Sequence, residues 1–260
     1  MFIHYLKITF RNLWKYKSQT LISLTGLAVG FTCFALATLW IRYEMTYDSF
    51  HKNAKQLYVV CRPDILSQTG YSKSVNYQLL NLKETFPEIA NEVAFTHVKN
   101  TFIVDDTEIP VSIIGTKDSS FLSVFDVKVI EGSREFLIGN NKVAITNEKA
   151  RQLFGNENPI GKTVSNNLNQ RLEICAVVSG MSERSSFDFD FIGRNWGTRF
   201  TIIELLHGTD LEAFEKKLFD YETGEKRGNI SKMKIMPLTK MRYLDPDIER
   251  EVKFQHAYND

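Results

Sequence analysis

The stretch of the chain that most resembles a nucleotide-binding motif runs from Gly155 to Thr163 and contains Gly161 and Lys162. Its two glycines are one residue too far apart for the Walker A spacing. The stretch also follows a predicted helix and leads into a predicted strand. A phosphate loop has the opposite order, because the N–H groups at a helix N-terminus must face the phosphates. We therefore interpret it as a turn, which Pro159 also favours.

Three other patterns could carry chemistry. Ser49 and Lys52 match the S-x-x-K of some serine hydrolases, but the accompanying motifs are absent. Asp188 and Asp190 would share one side of an extended segment, as paired acid–base carboxylates can, but an exposed loop explains them better. Asn229-Ile230-Ser231 fits a glycosylation acceptor, which means little in a bacterial-looking chain. The sequence offers no catalytic constellation, so we predict that the protein is not an enzyme and has no cofactor.

The cysteines and histidines do not predict a metal site. Cys33, Cys61 and Cys175 lack metal-ligand spacing, and the five histidines are scattered. Cys33 falls in a long apolar run, which leaves Cys61 and Cys175 able to pair in an oxidising compartment. Both lie in strand-like apolar runs, so we favour buried free thiols over a disulfide.

One stretch near the N-terminus determines how the rest of the chain is placed. No charged side chain occurs in the 24 residues from Ser18 to Ile41. A bilayer core about 30 Å thick needs roughly 20 apolar helical residues. Trp40 and Tyr43 fall where an interfacial aromatic belt would lie. The sequence therefore predicts a transmembrane helix over 18–43.

A cleaved signal peptide is the alternative for this stretch, since Ala35-Leu36-Ala37 could form an A-x-A cleavage site. The apolar run, however, continues to Ile41 and exceeds the roughly 7–15 residues of a signal-peptide core. We therefore favour a retained membrane helix.

The flanking charges predict the orientation of this helix. Residues 1–17 contain four basic side chains and no acidic one, whereas residues 18–260 contain 28 basic and 31 acidic ones. Because positive flanks stay in the cytoplasm, we expect a cytoplasmic N-terminus and a periplasmic domain over 44–260. Apolar residues recur at helical spacing over 1–17, which predicts an amphipathic helix on the inner leaflet, with a flank of no defined fold as the alternative. The predicted membrane-surface contacts are Lys7, Arg11, Lys15 and Lys17.

Gly26 and Gly30 form a G-x-x-x-G pattern inside the predicted span. Two glycines one turn apart would let another helix approach closely, so we predict a helix-packing face there. The local concentration of positive charge beside the membrane accounts for the net charge of +1, and we expect membrane lipid rather than nucleic acid as the partner of this segment.

The whole chain is 43% apolar and 24% charged, as is typical of a globular protein, and its 19 phenylalanines predict an aromatic-rich core. Apolar patterning and breakers predict helices over 75–86, over 148–154 after an Asn147 N-cap, over 211–219 after an Asp210 N-cap, and a short piece carrying Phe121 and Phe125. Strands are predicted over 56–62, 92–98, 101–105, 109–115, 126–131, 143–146, 171–178, 199–206 and 231–236. Without a regular βαβ rhythm, this pattern indicates an α+β fold.

A series of short motifs follows in order along the chain. They are Arg11-Asn12-Leu13, Lys15-Tyr16-Lys17, Gly26-Leu27-Ala28-Val29-Gly30, Tyr47-Asp48-Ser49-Phe50-His51, Asn53-Ala54, Leu57-Tyr58, Phe86-Pro87-Glu88-Ile89, the Phe121–Phe125 region closing at Gly132, Ala150-Arg151-Gln152-Leu153-Phe154-Gly155, Asn158-Pro159-Ile160-Gly161-Lys162 and Pro237-Leu238-Thr239. Together they resemble the permease subunits of MacB/FtsX-type ABC transporters, in the form common in Bacteroidetes.

The resemblance implies a first membrane helix followed by a MacB-like periplasmic core domain with two subdomains. Such permeases are not enzymes. They dimerise with a second permease copy, bind a separate cytoplasmic ATPase subunit, and transmit its closure to the periplasm. The resemblance therefore implies an inner-membrane protein that helps to export or extract a substrate, or that controls a periplasmic partner.

The chain departs from this family in having one apolar run of membrane length, whereas family members have at least four membrane helices. The loop that contacts the ATPase in the family lies between later helices. We therefore expect the N-terminal portion of a permease, truncated before the second membrane helix. The alternatives are a stand-alone, membrane-anchored periplasmic sensor or adaptor without transport activity, and a secreted hydrolase behind a signal peptide.

Overall fold

The computed structural model describes residues 2–63, 71–73, 82–104, 107–166, 170–194, 200–222 and 232–243. The chain divides into two compact units, Met1–Thr46 and Tyr47–Asp260. Most of the predicted helix over 75–86 and the whole Asn229-Ile230-Ser231 pattern lie outside the described residues.

The first unit consists of two helices, α1 (Phe2–Lys15) and α2 (Lys17–Glu44). They meet at Tyr16, whose amide donates to the Asn12 carbonyl at 3.1 Å and whose carbonyl accepts from the Thr20 amide at 2.9 Å. Within the described residues, α2 is the one helix long and apolar enough to cross a membrane. It extends the predicted span of 18–43 by one residue at each end.

Three of the four threonine hydroxyls of α2 donate to carbonyls of the same helix, and that of Thr20 donates to the Leu13 carbonyl of α1 at 3.1 Å. Thr25 donates to the Leu21 carbonyl at 2.9 Å, and Thr32 donates to the Ala28 carbonyl at 2.8 Å. Because a hydroxyl in lipid has no water to bind, this internal pairing suits a membrane environment.

The second unit is built on a large mixed sheet. Its strands are β1 (Leu57–Pro63), β2 (Tyr71–Ser72), β3 (Ile89–Val104), β4 (Thr107–Thr116), β5 (Val129–Gly132), β6 (Lys142–Thr146), β7 (Thr163–Asn166), β8 (Arg171–Val178), β9 (Phe191–Arg194), β10 (Phe200–Leu205) and β11 (Lys234–Pro237). The main order is β11-β1-β10-β3-β4-β9-β6-β8-β5, and β2 pairs with β1. The pairs β4–β9 and β6–β8 are parallel, and the other pairs are antiparallel.

Strand β7 closes part of this sheet into a ring. It pairs with β3 through Phe102↔Asn166 and with β8 through Val164↔Leu172. Following the pairing from β3 through β4, β9, β6, β8 and β7 therefore returns to β3. Closure leaves these six strands without an open edge, which removes sites for unwanted strand pairing.

The helices of the second unit are short: α3 (Leu82–Thr85), α4 (Ser120–Val124), α5 (Asn147–Phe154) and α6 (Leu211–Asp220). Three 3-10 turns cover Ala54–Gln56, Arg134–Leu137 and Leu238–Tyr243. The α+β class is confirmed, and Asp210 caps α6 as predicted by accepting from the Ala213 amide at 3.1 Å.

Several local predictions need correction. The strands predicted over 92–98 and 101–105 are one continuous strand, β3, because β4 pairs with it along its whole distal half. Strand β9 lies between the predicted strands 171–178 and 199–206, where the sequence pattern predicts no strand, and its parallel partner β4 stabilises it. The α5 N-cap is Thr146, not Asn147, because the Thr146 hydroxyl accepts from the Lys149 amide.

The core is rich in phenylalanine, as predicted. In one cluster, Phe95 contacts Phe121 and Phe187 at ring-centroid distances of 5.1 and 4.8 Å. The ring of six strands encloses a second cluster that includes Phe102 and Phe191, 4.9 Å apart. A third cluster lies under α6, where the Phe86 and Phe214 centroids are 5.7 Å apart.

Candidate functional site: the junction after the membrane helix

The residues that begin the second unit, 47–53, are here called the exit segment because they follow α2 in the chain. Asp48 lies in this segment, is almost fully buried and has a left-handed backbone with φ of 54°. Its amide donates to the Arg184 carbonyl at 2.9 Å. Left-handed backbone is costly for most residues but tolerated by Asp, so the turn suits this residue type.

The Asp48 carboxylate binds a segment far away in sequence, residues 181–190, here called the strap. Oδ1 accepts from the Ser186 amide at 2.9 Å and from the Ser185 hydroxyl at 3.4 Å, while Oδ2 accepts from the Ser186 hydroxyl at 2.5 Å. Hydrogen bonds to an ionised carboxylate are about twice as strong as neutral ones. The exit segment is therefore firmly bound to the strap.

His51 packs beside this carboxylate. Its ring centroid lies 4.1 Å from that of Phe50 and 5.2 Å from that of Phe125. Nε2 is 3.9 Å from Asp48 Oδ1, too far for a hydrogen bond, and among the described residues it has no hydrogen-bond partner. Burial lowers the pKa of His51 to about 4, so the imidazole is neutral at pH 7.

Asn53 attaches the exit segment to the sheet at a second point. Its side-chain amide donates to Glu204 Oε1 at 2.5 Å, and the amide of Asn91 donates to Oε2 of the same carboxylate at 2.7 Å. Glu204 belongs to β10 and Asn91 to β3. The exit segment is thus bonded to β10 as well as to the strap, and Glu204 links β10 to β3 at the same point.

The middle of the strap is held by packing. Phe187 is 1% exposed. Its ring centroid lies 4.8 Å from Phe95, 5.2 Å from Phe200 and 6.2 Å from Phe125. Because protein interiors are close-packed, a displacement of the strap must displace these neighbours too.

His97, Ser112 and the strap form a group that superficially looks catalytic. His97 Nε2 lies 2.8 Å from the Ser112 hydroxyl and 2.8 Å from the Asp188 carbonyl, to which that hydroxyl also donates at 3.0 Å. A carbonyl can only accept, so Nε2 must carry the proton. It therefore cannot take the Ser112 proton as a general base would. The group instead fastens the strap to β3 and β4, and burial lowers the pKa of His97.

The two strap aspartates do not form an acid–base pair. Asp188 is exposed, as predicted, and its backbone carbonyl makes the contacts described above. Asp190 is only partly exposed. Its Oδ2 accepts from the Ser112 amide at 2.8 Å, and its Oδ1 lies 3.5 Å from Lys149 Nζ. Asp190 therefore joins the strap to β4 and α5.

The loop that resembles a Walker A motif is a turn, as predicted. Gly155 ends α5 with φ of 61°, and Gly161 has φ of 85°. Lys162 forms an ion pair with Glu157 and lies 4.5 Å from the Phe154 ring centroid. These contacts give Lys162 a structural role. Across the part of the chain that the structure describes, no group of three His, Cys, Asp or Glu side chains is arranged to hold a metal.

The predicted membrane contacts remain predictions. The side chains of Lys7, Arg11, Lys15 and Lys17 are exposed. A Cβ placed on Gly26 or Gly30 would meet no atom within 4 Å, so this face of α2 is open to a neighbouring helix.

Cys61 and Cys175 are buried free thiols, and burial raises the pKa of Cys61 to about 12.

Comparison with known proteins identifies the family of this chain. The family model described as the MacB-like periplasmic core domain matches residues 20–220. The chain belongs to this family. The match begins inside α2 and covers the exit segment, the strap and most of the sheet. Curated proteins searched by sequence gave no match.

Solved structures that share this fold include the following three. A domain of a proposed permease protein from Porphyromonas gingivalis is 16% identical with a TM-score of 0.59, covering 78% of this chain and 98% of that one. The periplasmic region of MacB from Actinobacillus actinomycetemcomitans is 15% identical with a TM-score of 0.53, covering 73% and 92%. The extracellular domain of the ABC-type transporter YknZ from Gram-positive bacteria is 16% identical with a TM-score of 0.53, covering 69% and 99%. At these identities the likeness concerns the fold.

Proposed function

We propose that this MacB-like chain is the N-terminal portion of an ABC-transporter permease subunit, in which the core domain moves when a cytoplasmic ATPase acts on the membrane part. The observation that carries the proposal is the family match, which covers residues 20–220, from within α2 to the end of α6. The subunit has no catalytic activity of its own. Its partners are a separate ATPase subunit, a second permease copy, membrane lipid and an exported substrate or periplasmic partner protein.

The proposed topology follows from the charge distribution. Residues 1–17 lie on the cytoplasmic leaflet with Lys7, Arg11, Lys15 and Lys17 toward anionic lipid, residues 18–43 span the inner membrane, and residues 44–260 are periplasmic. Gly26 and Gly30 face another membrane helix. This arrangement puts the exit segment at the point where movement of α2 reaches the core domain.

The contacts of the exit segment support a mechanical role. Asp48 binds the strap, Asn53 binds Glu204 on β10, and the strap continues through Phe187 to Ser112 on β4. A displacement of the exit segment is therefore opposed by buried, charge-assisted contacts rather than by a mobile linker. Such a junction can transmit movement into the sheet.

The topology is tested by labelling single introduced cysteines with a membrane-impermeant maleimide in cells whose outer membrane has been permeabilised. We expect Ile138→Cys, on the exposed surface of the core unit, to be labelled and Lys7→Cys to be labelled only after lysis. The unsubstituted chain is the control for the three native cysteines. Labelling of Lys7→Cys in intact cells, without Ile138→Cys, would reverse the proposed orientation.

The coupling is tested in lipid nanodiscs that hold a candidate ABC ATPase subunit of the same source cell together with this chain fused to the later membrane helices of a family permease, because those helices carry the loop that contacts the ATPase in the family. We expect this assembly to raise ATP hydrolysis and Asp48→Asn to reduce that stimulation, while Asp126→Asn leaves it unchanged. Asp126 is a matched control, because it is exposed and has nearly the same φ, 53°. If ATP hydrolysis by every ABC ATPase of the source cell stays unchanged, the result would favour the anchored sensor or adaptor.

A further inference from the structure

One oxygen of the Asp48 carboxylate lies within reach of two competing groups. Oδ1 accepts from the Ser186 amide at 2.9 Å, and it lies 3.9 Å from His51 Nε2. A shift of about 1 Å would bring Nε2 into hydrogen-bond distance of Oδ1. Oδ1 also accepts from the Ser185 hydroxyl at 3.4 Å, so the strap already occupies both acceptor positions of this oxygen while His51 of the exit segment lies close to it.

The engaged arrangement has an identifiable cost. His51 Nε2 is buried and without a hydrogen-bond partner among the described residues, a loss that usually costs about 1–3 kcal/mol. Buried unsatisfied polar atoms are uncommon in native proteins and each calls for an explanation, which a second state in which His51 Nε2 gains a partner would supply.

We propose that Asp48 and His51 form a proton-controlled switch that sets how tightly the strap holds the exit segment. With His51 neutral, Asp48 binds Ser185 and Ser186, and the strap is locked to the exit segment. When His51 binds a proton, both ring nitrogens become donors and the cation competes for Asp48 Oδ1. The carboxylate then leaves the Ser186 amide, and the strap loosens.

The switch rests on the proposed function only in assigning a transport role to the strap. Its chemistry depends on Asp48, His51 and the serines alone. In transport terms, an acidic periplasm would weaken the mechanical link between α2 and the core domain.

Among the described residues, three segments bring charged groups near His51. Its own segment supplies Asp48 and the exposed Lys52, the end of α4 supplies the Phe125 ring with the exposed Asp126 next in sequence, and the strap supplies uncharged serines preceded by the exposed Glu183 and Arg184. Asp48 is the charged group whose distance from the imidazole, 3.9 Å, is short enough for it to engage the cation directly. Exposed charges are screened by solvent and salt and contribute little.

The direction of the pH effect follows from proton linkage. The locked state holds His51 with a pKa of about 4, against an ordinary value of 6.5 in a released, solvated state. Protons therefore bind the released state more readily, so release increases as the pH falls from 6.5 toward 4. Between pH 7 and pH 5 we expect the released fraction to rise at least about tenfold.

The test is hydrogen exchange of the full chain in lipid nanodiscs, followed by mass spectrometry over pH 5–7.5 and corrected for the intrinsic pH dependence of exchange. We expect peptides covering 183–188 to lose protection by about tenfold or more toward pH 5. Peptides from β6, at 142–146, should keep theirs, which excludes global unfolding. His51→Gln should abolish the pH dependence at the strap, and His207→Gln, at an exposed histidine, should leave it intact.

Retention of the same pH dependence in His51→Gln, or a pH-independent strap in the native chain, would overturn the switch. If His51→Gln does not fold, NMR of the native chain decides the matter. The Ser186 amide must then titrate with the midpoint of the His51 ring, and different midpoints overturn the proposal.

The two proposals can fail separately. Loss of ATPase coupling at every pH, with strap exchange still controlled by His51, would leave the switch intact and remove the permease role. Retained ATPase coupling, with hydrogen exchange at the strap that does not depend on His51, would support the permease role and overturn the switch.

Discussion

The carboxylate of Asp48 and the amide of Ser186 form a 2.9 Å hydrogen bond across a separation of 138 residues. This bond joins the first residues of the core unit to a segment that otherwise connects β8 to β9. Its position explains why an aspartate with left-handed backbone stands in the Tyr47–His51 motif. The motif binds a distant loop.

Replacing Asp48 by Asn should destabilise the core unit by about 2 kcal/mol, because charge-assisted hydrogen bonds to buried donors are lost. Asn tolerates left-handed backbone, so the change isolates the carboxylate from the backbone conformation. Denaturant unfolding of the full chain in detergent, monitored by far-UV circular dichroism, measures this difference in the free energy of unfolding. Asp126→Asn should change the stability by less than about 0.5 kcal/mol, and equal effects at the two sites would contradict the role of Asp48.

Acid should destabilise the core unit partly through His51. The unfolded chain binds a proton at this residue below pH 6.5, whereas the folded chain excludes it until about pH 4. Neutral, buried His51 therefore contributes to the free energy of unfolding above pH 6.5. This contribution falls by up to about 3 kcal/mol as the pH decreases from 6.5 to about 4. The difference in unfolding free energy between the native chain and His51→Gln should narrow steadily from pH 7 to pH 4.5. A difference that stays constant over this range would show that His51 titrates normally in the folded protein.

Gly132, at the end of β5, should not accept a side chain. Its φ is 89°, and a Cβ would lie 2.2 Å from the backbone oxygen of Cys175 on the neighbouring strand. We expect Gly132→Ala to cost about 3 kcal/mol or more, from left-handed strain together with the clash. Gly208→Ala is the matched control, since Gly208 has φ of 85° but no atom within 4 Å of its Cβ position. Thermal unfolding should show a clearly smaller decrease in melting temperature for Gly208→Ala than for Gly132→Ala. Similar decreases would mean that β5 moves away from β8 easily.

The start of α5 gives a local test. Thr146→Ala should cost about 1 kcal/mol, because the hydroxyl that accepts from the Lys149 amide is lost. Asn147→Ala should have little effect or a slightly stabilising one, since Ala has the higher helix propensity. The denaturant midpoints of the two variants measure these effects. A larger loss of stability for Asn147→Ala than for Thr146→Ala would show that Asn147 is the N-cap, as the sequence pattern predicts.

Local patterns predicted much of the architecture. The uncharged run from Ser18 to Ile41 identifies α2, because backbone polar groups in lipid must be satisfied within the segment. Alternating apolar residues located β1, β8 and β10 to within one residue at most of their boundaries. Asp210 was recognisable as an N-cap because its contact with Ala213 spans only three residues.

Where neighbouring positions competed, local reasoning was less successful. Asn147 is a good N-cap by residue type, but Thr146 occupies the extended backbone position from which a side chain can reach Lys149. Ser112 and His97 gave no signal at all, because a serine and a histidine in strands are unremarkable until β3 and β4 pair and bring the strap over them.

The sequence by itself therefore determined the apolar helix, most strands and, through ordered motifs, the family. Only the tertiary structure decided that β7 closes a ring between β3 and β8, that the strap fastens the exit segment through Asp48, and that His51 Nε2 is buried beside the same carboxylate. The physical reason is the range of the interactions. Helix and strand patterns arise from contacts a few residues apart, whereas the β3–β7 pairing and the Asp48–Ser186 bond join residues tens to more than a hundred positions apart, and no local spacing predicts them. His51 is only three residues from Asp48, but its ring packs against the distant Phe125.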